Sequence, residues 1–126
     1  MSEKVSIIIS TYNGENYIEE TLESCLAQTY NNIDIIVIDD CSSDSTVEIL
    51  SRYEDKIKLF KNETNQGIVK NVNKVTLQIQ SPYYIFLGQD DLLPKDHIKK
   101  MMSEFDDDNL VGVYCNSVII DGDGVE

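Results

Sequence analysis

Short apolar runs alternate with longer amphipathic segments along this chain, and the two patterns predict different elements. The runs are nearly continuous in apolar residues, which is typical of strands covered on both faces of a parallel sheet. We predict strands at Val5–Ser10, Ile33–Ile38, Ile57–Phe60, Tyr83–Leu87 and Val111–Ile120. The segment Asp121-Gly122-Asp123-Gly124 follows the last of these runs and predicts a hairpin turn.

In the intervening segments apolar residues recur every three or four positions, as on a helix that buries one face. We predict helices over Tyr17–Ala27, from Ser45 to Tyr53, from Ile68 to Ile79, and behind Pro94 as far as Phe105. Ser45 and Glu48 have the spacing of a capping box, in which the glutamate bonds back to the amide of the capping serine. The alternation predicts right-handed crossovers and a mostly parallel sheet with helices on both faces, the α/β class.

Composition narrows the class of protein. A chain of 126 residues is long enough for one domain with a buried core. Its net charge of −13 argues against a nucleic-acid-binding surface, which needs clustered Lys and Arg. No apolar run is long enough to cross a bilayer, and the first residues lead into a strand without a secretory signal. Three cysteines without C-x-x-C spacing fit a reducing compartment, so we expect a cytoplasmic protein.

Two pairs of adjacent aspartates follow two of the predicted strands. Asp39-Asp40 closes the second strand, and Asp90-Asp91 comes shortly after the fourth. Neighbouring carboxylates repel each other, so a fold keeps them together where they are solvated, hydrogen-bonded or bound to a cation. Open α/β sheets bind ligands at the carboxyl ends of their strands. The pairs therefore predict a site for a metal and a phosphorylated or polyhydroxyl ligand at one rim of the sheet.

The first two loops on that rim each allow two interpretations. Tyr12 could stack on a base, with its neighbour Ser10 or Thr11 positioning it. The alternative is a plain turn at Asn13-Gly14. In the second loop, one carboxylate of Asp39-Asp40 could accept the imide N–H of a pyrimidine, or the loop could form only Asx and Ser turns before the next helix.

The other two loops precede the third and fourth helices. At Asn65-Gln66-Gly67 an anion could sit against free N–H groups, with Lys70 one turn further on, although Asn and Gly are also common in such turns. Gly88-Gln89-Asp90-Asp91 offers the one or two carboxylates that Mg²⁺ needs beside nucleotide phosphates, where the metal would act as a Lewis acid. The alternative there is a solvated turn before Pro94.

Three other polar features predict no chemistry. Cys41 lies beside the first aspartate pair without a neighbour that would activate it, so we interpret it as an inert packing thiol. His97 is predicted to be a solvated histidine on the flank of the fourth helix. The acidic segment Glu104–Asp108 is interpreted as a helix end and turn in water.

In chain order, the segments VSIIISTYNGENYIEETLESCLAQTY, IDIIVIDDCSSDST, NQG and YIFLGQDDLLP resemble family 2 glycosyltransferases. The resemblance runs from about Val5 to Ser117. It implies the GT-A fold, a Rossmann-like three-layer sandwich with a mostly parallel sheet, truncated here at the C-terminus. It also implies that residues 1–126 form a single nucleotide-diphospho-sugar-binding domain that lacks the acceptor-binding half.

The resemblance further implies an activity and partners. Members of the family transfer a sugar from a nucleotide-diphosphate sugar, expected here to be a UDP-sugar, to an acceptor hydroxyl with inversion. The acceptor would be a glycan or lipid-linked molecule in cell-surface polysaccharide synthesis, handled in the cytoplasm or at the inner face of the membrane. The family's catalytic base lies in a C-terminal half, so this chain is expected to bind donor and transfer little. No residue here is assigned as catalytic.

Residue roles follow from the motifs that match the family. Ser10–Asn13 and Asp40 match the positions that hold the nucleotide base, with Tyr12 flanking the base and Asp40 accepting from it. Asp90 and Asp91 match the positions that contact the ribose and a divalent metal, Mg²⁺ or Mn²⁺. The implied nucleotide-binding set is Ser10, Thr11, Tyr12, Asn13, Asp39, Asp40, Asn65, Gly67, Lys70 and Asp90, and the implied metal ligands are Asp90 and Asp91.

Two positions depart from the family's pattern. Gly88 stands where the commoner motif has an aspartate, which reduces three acids to two. Asn71-Val72-Asn73 stands where many relatives have Ala-Arg-Asn, so a phosphate contact would fall to Lys70.

Two other functions stay open from the residues. A receiver-type phosphoacceptor domain has a similar length and an acidic pair. In that class, however, the pair follows the first strand and a lysine ends a late strand, unlike here. A catalytically inactive nucleotide-binding module is the second alternative, because the acidic motif is shortened.

Overall fold

The computed structural model describes residues 2–105 and 109–125. Within these residues strands and helices alternate along the chain, as the hydrophobic pattern predicts. In order the elements are β1 Val5–Thr11, α1 Ile18–Leu26, β2 Ile33–Asp39, α2 Thr46–Ser51, β3 Lys58–Lys61, α3 Ile68–Thr76, β4 Tyr83–Leu87 and α4 His97–Ser103.

The strands β1 to β4 form one parallel sheet in the order β3-β2-β1-β4. β1 lies in its interior, with Ile7 level with Ile35 of β2 on one side and with Ile85 of β4 on the other. Because the strands run in the same direction, the loops that follow them meet at one edge of the sheet. We call this the carboxyl edge; it collects the segments that follow Thr11, Asp39 and Leu87.

Helices cover both faces of the sheet, which confirms the three layers predicted from the sequence. Alternate residues of a strand point to opposite faces. The core under α1, α2 and α4 includes Ile7, Ile9, Leu22, Leu50 and Ile98. The smaller core under α3 consists of Ile8, Ile36, Ile38 and Val75. Full burial of one such side chain contributes about 1.5–3 kcal/mol, so the sheet is a rigid base for the loops at its carboxyl edge.

The prediction of a strand at Val111–Ile120 is wrong. This segment contains no strand, and the side chains of Val111, Tyr114 and Ile119 are almost fully exposed. A strand needs backbone hydrogen bonds to a neighbour, and in the described part of the chain the sheet ends at β4. Apolar side chains indicate a tendency to form a strand, but they do not supply the partner.

The turn after this segment is present, although it joins no strands. The Gly124 N–H donates to the carbonyl of Asp121 at 3.0 Å, and the Asp121 N–H donates to the carbonyl of Val125 at 2.9 Å. The carboxylate of Asp121 also accepts from the N–H groups of Asp123 and Val125, both at 3.0 Å. Asp121 is therefore occupied within its own turn.

The predicted capping box at α2 is also wrong. Ser45 is the N-cap, but its side chain makes no capping bond. Asp44 accepts from the Thr46 N–H at 3.0 Å instead, while Glu48 pairs with Arg52 at 3.3 Å. Burial alone would raise the pKa of Asp44, yet the hydrogen bonds from Thr46 and from the Glu15 N–H outweigh it and lower that pKa. A carboxylate one residue earlier is the stronger acceptor, so it replaces the serine hydroxyl.

α4 ends at Ser103, and residues 106–108 of the predicted acidic helix end lie outside the described part of the chain. Within residues 2–105 and 109–125, no helix has the length and apolar character required to cross a membrane.

Candidate functional site

A cavity of about 470 Å³ opens at the carboxyl edge, between the ends of β1 and β4 and the start of α3. Open α/β sheets bind ligands at this edge, and sites for small molecules usually measure about 300–1,000 Å³. The wall is polar where the loops meet and apolar where it reaches the sheet face under α3. The lining residues are Ile8, Ser10, Thr11, Tyr12, Asp40, Asn65, Gly67, Ile68, Val72, Phe86, Leu87, Gly88, Gln89 and Asp90.

Most of the residues selected from the sequence meet at this cavity. Those that line it are Ser10, Thr11, Tyr12, Asp40, Asn65, Gly67 and Asp90. Asn13, Asp39, Lys70 and Asp91 do not belong to its lining, and Lys70 is an exposed residue in the first turn of α3. The first and last lining segments, at β1 and β4, are more than 70 residues apart in sequence, and parallel pairing of β1 with β4 brings them together.

The two carboxylates of the first pair have different surroundings. Asp39 is 1% exposed and turns away from the cavity. It accepts from the Thr11 hydroxyl at 2.9 Å, and from the N–H and hydroxyl of Ser42 at 2.9 and 2.6 Å. The carboxylate of Asp39 therefore stabilises the turn, as in the second interpretation of this loop. Its bonds connect the loop after β2 to the end of β1.

Asp40 lines the cavity although it is only 3% exposed. Its Oδ1 accepts from the Asn62 side chain at 2.9 Å and from the Gln66 N–H at 2.8 Å, and its Oδ2 accepts from the Gly67 N–H at 2.8 Å. Burial alone would raise the pKa of Asp40, but these hydrogen bonds, with one from the Asn71 side chain, outweigh it and lower that pKa. Asp40 is therefore a carboxylate at neutral pH.

The N–H groups at the start of α3 bind a carboxylate of the chain itself, that of Asp40. The sequence predicts that the amides around Gly67 could receive a ligand anion. In the structure the N–H groups of Gln66 and Gly67 are both bonded to Asp40. The positive end of the helix dipole favours negative charge at this place, and Gly67 has the positive φ of 85° that the loop requires. Asp40 thus fixes the loop from Asn65 to Gly67.

A buried amide network supports this arrangement from behind. Asn71 is fully buried, accepts from the Asn62 amide at 2.7 Å and contacts the Ser10 hydroxyl at 3.3 Å. The Lys74 ammonium donates to the Asn62 carbonyl at 3.4 Å. Sequence reasoning missed Asn62 as a site-supporting residue, because nothing in the local pattern connects it to a helix nine residues further along.

The first loop carries one of the two half-exposed aromatic rings described at the cavity, and the other belongs to Phe86 of β4. Tyr12 lines the cavity and is 49% exposed. Asn13 has a positive φ of 47°, and its side chain accepts from the Ser43 N–H at 2.9 Å, so Asn13 both turns the chain and joins the first two loops. The turn and base-stacking interpretations of this loop are therefore compatible, since they concern different side chains.

The second aspartate pair lies around Gly88. A Cβ at Gly88 would stand 2.5 Å from Asp91 Oδ2 and 3.3 Å from Asp90 Oδ1, so both carboxylates lean over the glycine. Within residues 2–105 and 109–125, no group of three or more His, Cys, Asp or Glu side chains is arranged to hold a metal ion. Two adjacent carboxylates still fit Mg²⁺ or Mn²⁺, because such ions are commonly held by one or two carboxylates with waters and substrate phosphates.

Cys41 and His97 lie outside the cavity, and the sequence assigns neither of them a chemical role. Cys41 is exposed, so the prediction of a packing thiol is wrong; its thiol donates to the Glu63 carbonyl at 3.4 Å. His97 is half-buried at the start of α4, so this histidine on the flank of the helix is only partly solvated. Partial burial lowers the pKa of His97.

Fold and site together define an α/β protein with a ligand cavity at the carboxyl edge of a parallel sheet. Residues 6–126 match the family model described as Glycosyl transferase family 2, so the chain belongs to family 2 of the glycosyltransferases. This membership decides against the receiver-type alternative.

Individual relatives agree with the family assignment. The chain is 38% identical over 101 residues to Bacillus subtilis TuaG, provisionally named a teichuronic acid biosynthesis glycosyltransferase, covering 78% of this chain and 40% of TuaG. It is 34% identical to S. aureus TarS in a structure with UDP, with a TM-score of 0.75 over 82% of this chain and 32% of the other. TarS has also been solved with UDP-GlcNAc.

A more distant structure shows the fold alone. Mannosyltransferase PcManGT from Pyrobaculum calidifontis, solved with GDP-Man and Mn²⁺, has a TM-score of 0.79 at 21% identity, covering 87% of this chain and 34% of the other. These neighbours are GT-A glycosyltransferases, which confirms the predicted fold class. The chain spans about half the length of the curated relatives it matches, or less.

Proposed function

We propose that the cavity at the carboxyl edge binds the nucleotide of a UDP-sugar, and that this chain is the donor-binding domain of an inverting glycosyltransferase. The observation that supports this most strongly is the convergence of Tyr12, Asp40 and Asp90 on one cavity from three different strands. An aromatic face and a buried carboxylate suit a base, and an exposed acidic pair suits a ribose and a diphosphate that carries a divalent metal.

Tyr12 and Asp40 are the residues that we assign to the base. Base–aromatic stacking is worth about 1–3 kcal/mol in proteins that bind single-stranded nucleic acid, and the half-exposed ring of Tyr12 can provide such a contact. Asp40 Oδ2 accepts from the Gly67 N–H, and its second lone pair can accept the imide N–H of uracil. The UDP and UDP-GlcNAc complexes of TarS support uracil as the base.

Charge at the cavity supports a metal. The described residues that line it include two acids, Asp40 and Asp90, and no Lys or Arg. A diphosphate would be repelled there unless a cation came with it. We assign Asp90 and Asp91 to Mg²⁺ or Mn²⁺, with Lys70 as a further phosphate contact. A bound divalent ion would neutralise the diphosphate as it departs.

We assign the acceptor site and the catalytic base to a part of the parent enzyme that does not align with this chain. The relatives are at least twice as long as the part that aligns with this chain, so we assign both functions to the rest of the parent enzyme. The name of TuaG supports a role in cell-surface polysaccharide synthesis. We place that reaction in the cytoplasm, at the inner face of the membrane.

Calorimetric titration of the chain with UDP and GDP, with and without Mn²⁺, tests this proposal. We expect UDP binding that needs the metal and exceeds GDP binding by about tenfold or more, which corresponds to about 1.4 kcal/mol. Asp40→Ala and Asp91→Ala should each weaken it, because they remove the base acceptor and a metal ligand. Asp55→Ala is the matched control, since Asp55 is exposed and distant in sequence from every lining segment. Metal-independent binding, or equal binding of UDP and GDP, would contradict the proposal.

A further inference from the structure

The side chain of Gln89 continues the sheet beyond its last backbone pair. The ladder between β1 and β4 ends at Ile9 and Leu87. Two residues further on, Gln89 Oε1 accepts from the Tyr12 N–H at 2.9 Å, and Gln89 Nε2 donates to the Tyr12 carbonyl at 3.1 Å. The carbonyl of the side-chain amide thus pairs with the N–H of Tyr12, and its NH₂ group pairs with the Tyr12 carbonyl. The backbone of a neighbouring strand would offer the same acceptor and donor.

The backbone of Gln89 is held as firmly as its side chain. Its carbonyl accepts from the hydroxyl of Thr21, a fully buried residue of α1, at 2.9 Å. On the other side, a Cβ at Gly14 would stand 2.4 Å from Gln89 Oε1. Gly14 is itself fixed by donating its N–H to the Thr46 hydroxyl at 2.8 Å. The Gln89 amide therefore fits into a space that a glycine leaves free.

This bridge joins the loop that carries Tyr12 to the segment that carries the second aspartate pair. Tyr12, which we assign to the base, is bonded to Gln89, and Gln89 is followed directly by Asp90, which we assign to the metal. We propose that Gln89 is a positioning residue: it fixes the base-stacking loop relative to the acidic pair, and so sets the span available to a nucleoside diphosphate. This inference rests on the proposed function, although the bridge can be tested without a nucleotide.

Amide hydrogen exchange of the isolated chain tests the bridge. In Gln89→Ala we expect the Tyr12 amide to exchange about tenfold faster or more, because its acceptor is gone, while the amides of β1 keep their protection. UDP affinity in the presence of Mn²⁺ should fall by about fivefold to tenfold. Gln78→Ala is the matched control, since Gln78 does not line this cavity.

Gln89→Glu separates a positioning role from a merely structural one. Its carboxylate can accept from the Tyr12 N–H but cannot donate to the Tyr12 carbonyl, whereas the protonated acid can do both. The Tyr12 amide of Gln89→Glu should therefore keep most of its protection from exchange, and UDP affinity should fall less than in Gln89→Ala. A UDP affinity as low as that of Gln89→Ala, with the Tyr12 amide still protected, would overturn the proposal.

Gly14→Ala leaves Gln89 in place, so it tests the bridge even if Gln89→Ala folds poorly, and unchanged UDP binding in Gly14→Ala would overturn the proposal. Gly14→Ala should weaken UDP binding by displacing the glutamine, and adding Gln89→Ala to it should cause little further loss, because both changes break the same bridge. Additive losses would overturn the proposal. If the Tyr12 amide exchanges at the same rate in Gln89→Ala as in the wild type, and the wild type binds UDP, then the bridge is overturned and the proposed function is not. Failure of the wild type to bind UDP overturns the proposed function, whatever the exchange of Tyr12 shows.

Discussion

At the scale of single residues, adjacent aspartates can have opposite tasks because successive strand residues face different neighbours. Asp39 is occupied by Thr11 and Ser42, whereas Asp40 faces the cavity and holds the start of α3. The sequence predicts that both carboxylates lie at a strand end, and the structure agrees. The local pattern does not select the carboxylate that faces the cavity, because that depends on loops 20 to 30 residues away in sequence. The choice of Asp40 rests on the family resemblance.

Asp40→Asn tests how much this carboxylate contributes to the fold. The amide presents an NH₂ group to a site filled with N–H donors, so a buried donor loses its acceptor. We expect a loss of about 1–3 kcal/mol in the free energy of unfolding, measured by urea denaturation. Asp55→Asn, on an exposed residue, is the control and should change stability by less than about 0.5 kcal/mol.

The same carboxylate predicts how stability depends on acid. The pKa of Asp40 is lower in the folded chain than in the unfolded one, so the unfolded state takes up its proton first. The contribution of Asp40 is therefore complete above the unfolded pKa of about 3.9 and is lost as pH falls through the folded pKa. Denaturation curves from neutral to acid pH should show a smaller acid-induced loss for Asp40→Asn than for the wild type. Parallel curves would contradict this assignment.

At the scale of elements, strands and helices of the described chain follow the hydrophobic pattern closely, and the exceptions have a common cause. Strands buried on both faces leave continuous apolar runs, which is why β1 and β2 could be predicted to within about one residue. The apolar run of β4 could be predicted as well, although Tyr84 and Phe86 leave one of its faces about half exposed. The predicted strand at Val111–Ile120 and the capping bond of Ser45 both depend on a partner that local pattern cannot supply. In one case no paired strand is described, and in the other Asp44 is the better acceptor.

Amide exchange in residues 111–120 distinguishes the observed segment from the predicted strand. Because these residues lie outside the sheet and expose their side chains, their amides should exchange close to the unprotected rate, while those of β1 stay protected. Protection of alternate amides across Val111–Ile120, as in a paired edge strand, would contradict the structure.

Thiol reactivity reports how α1 packs on the sheet. Cys25 of α1 is buried, and burial raises its pKa to about 12 despite a hydrogen bond from the Ser24 side chain. Cys41 and Cys115 are exposed. Ellman's reagent at about pH 8 should label two thiols quickly and the third only after denaturation, since the thiolate is the reactive form. Fast labelling of three thiols in the folded chain would show that α1 is not packed as described.

At the scale of the whole molecule, a strongly acidic chain is proposed to bind an anion. The net charge is −13, and the described lining of the cavity has no cationic side chain. Binding a diphosphate there is reasonable only with a divalent cation, and this makes the metal central to the account.

The polar half of the site could be predicted from the sequence and the apolar half could not. Ser10, Tyr12, Asp40 and Asp90 stand at strand ends, where a motif can select them. Ile8, Val72 and Phe86 line the same cavity, but their spacing equals that of core residues. Which apolar side chains border a cavity depends on how far α3 extends over the sheet, and this is a property of the assembled fold.

Chemical-shift mapping of the labelled chain with UDP and Mg²⁺ tests the central claim most directly, because it locates the ligand residue by residue. We expect saturable shifts at the amides of Ser10 to Tyr12, at Gly67 and at Gly88 to Asp90, with little change in β3 or at the C-terminal end of α1. Without Mg²⁺ these shifts should be much smaller. Shifts centred away from the carboxyl edge, or equal shifts with and without the metal, would contradict the account.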